Sequence, residues 1–475
     1  MIRYSIIFSE SLESFFLKKD DKKQIKNISL GKNFFLQVNA ENGIENYFFE
    51  DKNLGFIILD GLIYNVENNS QKEHLSKLFY IIEEKGFDQT IRSLDGDFSI
   101  VYYSKKAHKI YFGRDNFGVK PCYYKLNAKA LIVASQPSQI INLGFAENII
   151  NKKYLFRYAG LHYRFIDNYP DESPYAEISQ VPAAHYFKVD LVSMKKFKVK
   201  YWKLENISLS NECNIDTLRE KYYDLLRKSV QSRITTNQKK VFSISGGLDS
   251  STVLSLAEKI SQEKVESYSV TYEDEEFDEK NEILEITNIK AKTWHEIKLD
   301  NKVELENKLT QIIAINDEPL ATSTWFSHFT ALEKIKEFGY DLIFGGLGGD
   351  EFNAGEYEYF TFFFADVLKN GQNFDQEVDF WEKYHNHKIY KKNKSIALDN
   401  LKNFVDLNIP GKCLIDKTRV TKYIDCIQTE NFPQKNYEDQ LFCPFESYLN
   451  NRTYQDLFYE TLPCCLRAQA GNGIF

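Results

Sequence analysis

The residues best suited to chemistry lie in Val241 to Ser251, VFSISGGLDSS. A β-forming run ends at Ile244 and a turn follows through Ser245, Gly246, Gly247, Leu248, Asp249 and Ser250. A helix is then expected from Ser250 or Ser251, capped by Asp249 or Ser250. Such a turn is an anion cradle. Its glycines let backbone N–H groups reach phosphate oxygens with no Cβ in the way, and the helix N-terminus adds partial positive charge. No Lys follows the glycines, so this is not the loop of γ-phosphoryl transfer. Asp249 would repel phosphate unless a cation lay between them, which implies Mg²⁺ bridging carboxylate and phosphate. An isolated S-G-G would mark only a capped strand-to-helix corner; the full S-G-G-x-D-S-S after a β run points to the cradle.

Ser245 to Ser251 resembles the pyrophosphate loop of the ATP pyrophosphatase fold, in the form carried by asparagine synthetases and β-lactam synthetases. The resemblance implies cleavage of ATP between its α- and β-phosphates and activation of a carboxylate as an acyl-adenylate. Ser267 to Glu279 (SYSVTYEDEEFDE) resembles the family's second strand and acidic loop, which sets Val270 against adenine. Asp317-Glu318-Pro319 resembles its D-E-P. Phe344 to Glu351 (FGGLGGDE) with Phe352 to Tyr357 (FNAGEY) resembles its S-G-E-G-x-D-E-x-x-G-G-Y stretch, which puts Asp350 on the second Mg²⁺-binding carboxylate. By this resemblance Ser245, Gly246, Gly247 and Ser250 hold phosphate, Asp249 and Asp350 hold Mg²⁺, and Val270, Gly345 and Gly346 line the nucleotide.

Two carboxylates have a separate physical rationale. At the C-terminal ends of parallel strands they would face the crevice where α/β sheets bind ligands, and a dication between them would stabilise departing pyrophosphate. The chain also departs from the family. Leu347 stands where the family has Glu, and Gly345 where it has Ser. An apolar side chain can neither accept a proton nor carry charge, so the resemblance does not fix the substrate.

Strands and helices must hold these loops. After Trp202, β runs at Val241 to Ile244, Glu266 to Tyr272, Thr293 to Ile297 and Leu342 to Phe344 alternate with helical patterns at Thr252 to Ile260, Asn281 to Thr287, Val303 to Ile313 and Ser327 to Glu337. That alternation predicts a parallel sheet covered on both faces. Before it come short strands at Arg3 to Phe8, Phe34 to Val38, Leu54 to Asp60, Asp97 to Tyr103, Lys109 to Phe112, Cys122 to Tyr124 and Leu131 to Ala134. Lys72 to Lys85 reads as an amphipathic helix through Leu75, Leu78, Phe79 and Ile82.

This first half resembles the class II glutamine amidotransferase domain through Leu59 to Asn65 (LDGLIYN), Leu94 to Tyr103 (LDGDFSIVYY) and Gly113 to Tyr124 (GRDNFGVKPCYY). The expected fold class is therefore α/β: an N-terminal Ntn-type α-β-β-α sandwich over residues 1–204, then a parallel-sheet ATP pyrophosphatase (adenine nucleotide α-hydrolase-like) domain over residues 205–475. The family's nucleophile is a cysteine exposed as the new N-terminus, but position 2 here is Ile2, which has no nucleophilic atom. Asp60 replaces the oxyanion-hole Asn, and its charge would oppose an oxyanion. No Arg stands in Glu45 to Ile58, where the family clamps the glutamine carboxylate. The first domain is thus expected to lack glutaminase activity and to serve as a scaffold.

Among 475 residues, 60 Lys and Arg against 68 Asp and Glu argue against a broad nucleic-acid footprint. No apolar stretch reaches the roughly 20 residues a bilayer requires, and MIRYSIIF is not a secretion signal, so a cytoplasmic protein is expected. Seven scattered cysteines read as reduced thiols, and the basic run Lys388 to Lys394 as a solvated segment. Glu460 to Ile474 resembles the family helix L-P-x-x-L-R-x-x-D-R-x-S-M, with Arg467 and Asn472 in place but Ala470 and Gly471 where D-R stands; truncation after Phe475, before a charge-neutralising Lys, is expected. The expected function is an ATP-dependent ligase. It would adenylate aspartate or a sugar or natural-product acid, release pyrophosphate, and amidate the acyl group with ammonia or an amine. Its partners would be small molecules, with no nucleic acid and no membrane, in a homodimer or beside a separate ammonia-supplying protein. The alternative is a non-catalytic nucleotide-binding scaffold subunit of an amidotransferase complex.

Overall fold

The computed structural model describes residues 2–9, 25–40, 43–66, 71–207, 214–235, 238–272, 279–299, 305–385, 392–420, 423–428, 430 and 441–471. The acidic loop at 273–278, most of the Lys388 to Lys394 run, Cys213, His387 and Asn472 lie outside the described residues. The chain divides into two compact units: residues 1–151, 170–346 and 465–475, and residues 152–169 with 347–464.

The first unit begins with strands β1 (Ile2–Ser9), β2 (Ile25–Leu30), β3 (Phe34–Ala40), β4 (Phe48–Asp51), β5 (Gly55–Ile63), β6 (Gly96–Ser104), β7 (Lys109–Arg114), β8 (Tyr123–Leu126), β9 (Ala130–Ala134), β10 (Ser179–Gln180), β11 (His185–Asp190) and β12 (Lys196–Lys200). They pair antiparallel in two six-stranded sheets, β10-β8-β9-β1-β3-β2 and β12-β11-β7-β6-β5-β4. The period of two along each strand assigns the faces. Tyr4, Ile6 and Phe8 of β1 share one core with Phe56 and Ile58 of β5 and Val101 of β6. The alternate residues Ile57 and Leu59 instead meet Leu75, Leu78 and Phe79 of helix α1 (Gln71–Lys85) and Ile91 of α2 (Phe87–Ser93). On the other side Ile7 packs with Ile140 of α3 (Pro137–Asn142). These layers are the expected α-β-β-α sandwich. Helix α4 (Lys152–Gly160) follows in the chain and belongs to the second unit.

The predicted strands fall within β1, β3, β5, β6, β7, β8 and β9 to within a residue or two. Those not read from the sequence are β11 and all four edge strands, β2, β4, β10 and β12. Edges carry charge against mispairing and so lose the apolar signal, as in KFKVK of β12.

The first unit continues through α5 (Ile215–Ile234), β13 (Lys240–Ser243), α6 (Leu248–Ser261), β14 (Val265–Thr271), α7 (Lys280–Lys290), β15 (Ala291–Lys298), α8 (Leu305–Asn316), α9 (Ser323–Glu337) and β16 (Leu342–Phe344). The four strands form a parallel sheet in the order β15-β14-β13-β16. Leu254 and Ala257 of α6 and Ile283 of α7 pack on one face, with Phe242 and Ile244. Ala331 and Ile335 of α9 pack on the other, with Val241 and Tyr268.

The second unit is helical: α4, α10 (Gly349–Asn353), α11 (Tyr359–Lys369), α12 (Phe374–Tyr384), α13 (Lys394–Phe404), α14 (Tyr448–Phe458) and the start of α15 (Thr461–Gly471). Phe362, Phe364, Val378, Trp381, Leu401 and Tyr448 form its core. Beside that core sits a buried ionic knot. Arg452 donates to Asp456 (Nε to Oδ2, 3.0 Å) and to Glu460 (Nη1 to Oε1, 3.2 Å), and Asp456 also accepts from the hydroxyls of Tyr359 and Thr461, each at 2.8 Å. No described helix is long and apolar enough to cross a membrane.

Removing one member of such a knot leaves the others charged and buried. Burial alone would raise the Asp456 carboxyl, but Arg452 and Arg164 outweigh it and hold the group at about 2, below the usual carboxylate range. A depressed carboxyl stabilises the fold above its ordinary pKa, and that stability is lost as pH falls through about 4 towards 2. Arg452→Met should cost about 3–5 kcal/mol at pH 7 in urea denaturation. It should also flatten the acid limb of stability against pH; an unchanged limb would show that the arginine does not hold Asp456 ionised.

Candidate active site

The chain leaves β13 through Ile244 to Gly247 and enters α6 at Leu248. The expected helix start at Ser250 or Ser251 is therefore two or three residues late, and neither Asp249 nor Ser250 is the cap. Gly247 occupies the N-cap with extended backbone and no side-chain bond. The Ser250 hydroxyl instead turns back inside the first turn, donating to the Gly247 carbonyl (3.3 Å), accepting from the Ser245 amide (3.2 Å), and lying 3.1 Å from the Ser245 hydroxyl. That closes the loop on itself. Gly246, at φ +74°, takes the left-handed conformation, where a side chain would be strained and its Cβ would lie 2.9 Å from Glu282 Cβ.

The sheet order decides where this loop lies. From β13 the chain builds outward through β14 to β15, then returns through α8 and α9 to place β16 on the opposite side of β13. The order reverses between β13 and β16, and ligands of open α/β sheets bind at the C-terminal ends of strands at such a reversal. Phe242 pairs with Phe344 across the two strands, their rings stacked at 5.0 Å. Both strands end level, and the loops Ser245 to Gly247 and Gly345 to Gly346 leave side by side. A Cβ on Gly346 would lie 2.7 Å from both Asp249 Cβ and Ser250 N, so only glycine permits this approach.

The structure thus brings together Ser245, Gly246, Gly247, Asp249, Ser250, Gly345 and Gly346. Val270 is the penultimate residue of the neighbouring β14 and is half-buried against the core under α9. Asp350 is exposed on α10 in the second unit. Beside it in sequence, Glu351 is buried, its carboxyl pushed up to about 7 by burial and, further, by Asp456, Glu356 and Asp350. Among the described residues, no group of three or more His, Cys, Asp or Glu is placed to hold a metal ion by itself.

One positioning residue and one pairing are not read from the sequence. Ser269 donates from Oγ to the Ile244 carbonyl (2.6 Å) and accepts from Trp294 Nε1 (3.0 Å), fixing the peptide that opens the loop. The alternation of Ser267, Ser269 and Thr271 along β14, all buried, was the available signal. Glu318 and Arg467 had each been placed in a motif but not joined. Their buried side chains form an ion pair, Nε to Oε1 at 2.9 Å and to Oε2 at 3.0 Å.

The chain matches the family model for asparagine synthase over residues 221–407 and that for a glutamine amidotransferase domain over residues 47–202. These two matches, with the relatives that follow, support a likeness to the asparagine synthetase family. Asparagine synthetase [glutamine-hydrolyzing] 2 of Bacillus subtilis (strain 168) is 26% identical over 230 residues, 46% of this chain and 30% of that protein. Asparagine synthetase [glutamine-hydrolyzing] 1 of the same organism is 24% identical over 335 residues, 67% of this chain and 50% of that protein. The chain spans between about a third and a half of the length of these curated relatives. A solved glutamine phosphoribosylpyrophosphate amidotransferase from B. subtilis is similar at TM-score 0.25 and 12% identity, over 56% of this chain and 58% of that one; a score so low adds nothing to the fold.

The close approach at Gly346 gives a direct test. Gly346→Ala should keep the fold but cost about 1–3 kcal/mol in urea denaturation, because Asp249 and Ser250 must move to admit the methyl group. A variant as stable as the parent would show that the two loops are not in contact.

Proposed function

We propose that the chain is an ATP-dependent carbon–nitrogen ligase that adenylates a carboxylate, releases pyrophosphate, and passes the acyl group to ammonia or an amine with loss of AMP. The observation that carries this reading is the pair of glycine loops meeting at the strand-order reversal between β13 and β16. Backbone N–H groups at the start of α6, together with the hydroxyls of Ser245 and Ser250, would bind the phosphates. Val270, Gly345 and Gly346 would line the nucleotide. The donor set suits Mg²⁺, since Asp249 and Asp350 offer hard carboxylate oxygens and the glycines leave room for phosphate close to the backbone. These two residues would hold the ion, which when bound supplies charge neutralisation for the leaving diphosphate. The acid is aspartate or a sugar or natural-product acid; Leu347, 45% exposed, stands where a charged side chain would restrict that choice.

The ligase role is assigned to residues 205–475 and a scaffold role, without glutaminase, to residues 1–204. Ile2 offers no nucleophile. Asp60 is buried on β5, and burial raises its carboxyl above the ordinary range despite Lys120 nearby. In its ionised form Asp60 would oppose an oxyanion, which the neutral amide it replaces would not.

Exchange of labelled pyrophosphate into ATP, measured across a panel of carboxylates, tests the ligase. At least one acid should support exchange, and Asp249→Asn should lower it by about a hundredfold or more. Absence of exchange with every acid would favour the non-catalytic scaffold. Incubation of the purified chain with glutamine should release no glutamate above the protein-free rate; release would restore a nucleophile to the first domain.

A further inference from the structure

The cysteines among the described residues are all reduced thiols, and two of them, 30 positions apart in sequence, meet inside the second unit. Cys413 follows α13, bridges antiparallel to Val405, and is buried in the helical core with Trp381 and Tyr448. Cys443 lies in the stretch before α14 that forms neither helix nor strand, half-buried against the same core and next to the exposed Phe442. The pair therefore has an inner sulfur and an outer one within reach of solvent.

Donors converge on the outer sulfur. The Cys413 amide donates to Cys443 Sγ at 3.5 Å and Gln455 Nε2 donates to it at 3.4 Å, and the two thiols are in hydrogen-bond contact with each other. Gln455 is buried on α14. Arg452 Nη1 donates to its Oε1 (3.5 Å) and its Nε2 donates to the Phe442 carbonyl (3.1 Å), which turns the amide nitrogen towards the sulfur. As a thiol, Cys443 has the Leu441 carbonyl as its acceptor at 3.4 Å. Bonds to the charged form outnumber that one, which favours the thiolate. The Cys413 thiol, its amide, Lys412 and Gln455 together outweigh burial and hold the Cys443 thiol below the ordinary thiol range, while the same contact and burial push Cys413 up.

We propose that Cys413 and Cys443 are a redox pair that hydrogen peroxide closes to a reversible disulfide, with Cys443 as the attacking sulfur and Cys413 as the resolving one. The Cys443 thiolate attacks one peroxide oxygen and the O–O bond breaks. The sulfur becomes a sulfenic acid, and the departing hydroxide takes a proton from solvent to leave as water. The Cys413 sulfur then attacks the sulfenic sulfur, and the hydroxide it expels carries off the Cys413 proton as a second water. Two thiols and one peroxide thus give one disulfide and two waters. Closure brings the sulfurs to about 2.05 Å, and the irregular stretch that carries Cys443 can supply the movement without breaking a helix or strand. The bond would tie the loop after α13 to the entry of α14, the helix of the ionic knot. The pair uses none of the residues assigned to ATP and stands whether or not the ligase reading does.

Hydrogen peroxide treatment of the reduced full chain, then iodoacetamide and tryptic mapping without reductant, tests it. Trypsin puts the two sulfurs on separate peptides, residues 413–417 and 436–452, and Cys426 on a third, residues 423–435. The folded chain should yield 413–417 joined to 436–452, and dithiothreitol should separate them. Cys413→Ala, oxidised in the presence of dimedone, should carry the adduct on Cys443, whereas Cys443→Ser should carry none on Cys413. Circular dichroism would check that both variants fold. The proposal fails if the folded parent gives no joined peptide, if joining appears only after unfolding in urea, or if Cys443 is joined to Cys426 instead. It fails equally if folded Cys413→Ala takes up no dimedone at Cys443 or folded Cys443→Ser takes it up at Cys413. Mapping of the parent chain decides the pairing even if a variant does not fold.

Discussion

Parallel pairing of β13 with β16 is the constraint on which the meeting of the two glycine loops depends. These are short strands, yet they are not adjacent in sequence: two outward strands and four helices intervene before β16 returns to the other side of β13. Hydrogen-bond register sets Phe242 against Phe344, and the stacked rings lock it. Level strand ends then bring two glycine loops together with no side chain between them. A slip of one residue would turn Phe344 to the opposite face and carry Gly346 away from Ser250.

A second constraint joins the sandwich to the sheet inside the first unit. Asp317, at φ +59°, accepts the Ser138 amide at the start of α3 (2.8 Å), and Gln136 donates to the Ile315 carbonyl (2.7 Å). One residue on, Glu318 holds Arg467 in a buried pair. Buried charges demand such partners, so the D-E-P turn fixes three segments far apart in sequence. A sandwich tied in this way has a structural role apart from any catalysis, because losing it would strand Asp317 and the Ile315 carbonyl.

The β-cradle-helix order was legible because its signals are local. Alternation in β1, β5 and β6 and the three-and-four spacing of α1 each reflect one face meeting one core. The start of α6 was misread for a local reason too. Ser and Asp are strong caps, but the Ser250 hydroxyl bonds within the loop, leaving Gly247 as the N-cap. Edge strands were invisible because their charges answer to solvent. Trp381 and Arg164 gave no sign of a shared cavity, since they lie over two hundred residues apart and meet only through helix packing.

By itself the sequence determined the residue types, the turn chemistry of SISGGLDSS and the amphipathic faces, all of which depend on neighbours within a few positions. It also carried the identities of Ile2 and Asp60, which no fold can alter. Only the tertiary structure decided that β16 lies beside β13, that Glu318 meets Arg467, and that Arg164 and Trp381 line one cavity. Those outcomes depend on which apolar faces find one another, and a local pattern records that a face exists but not its partner.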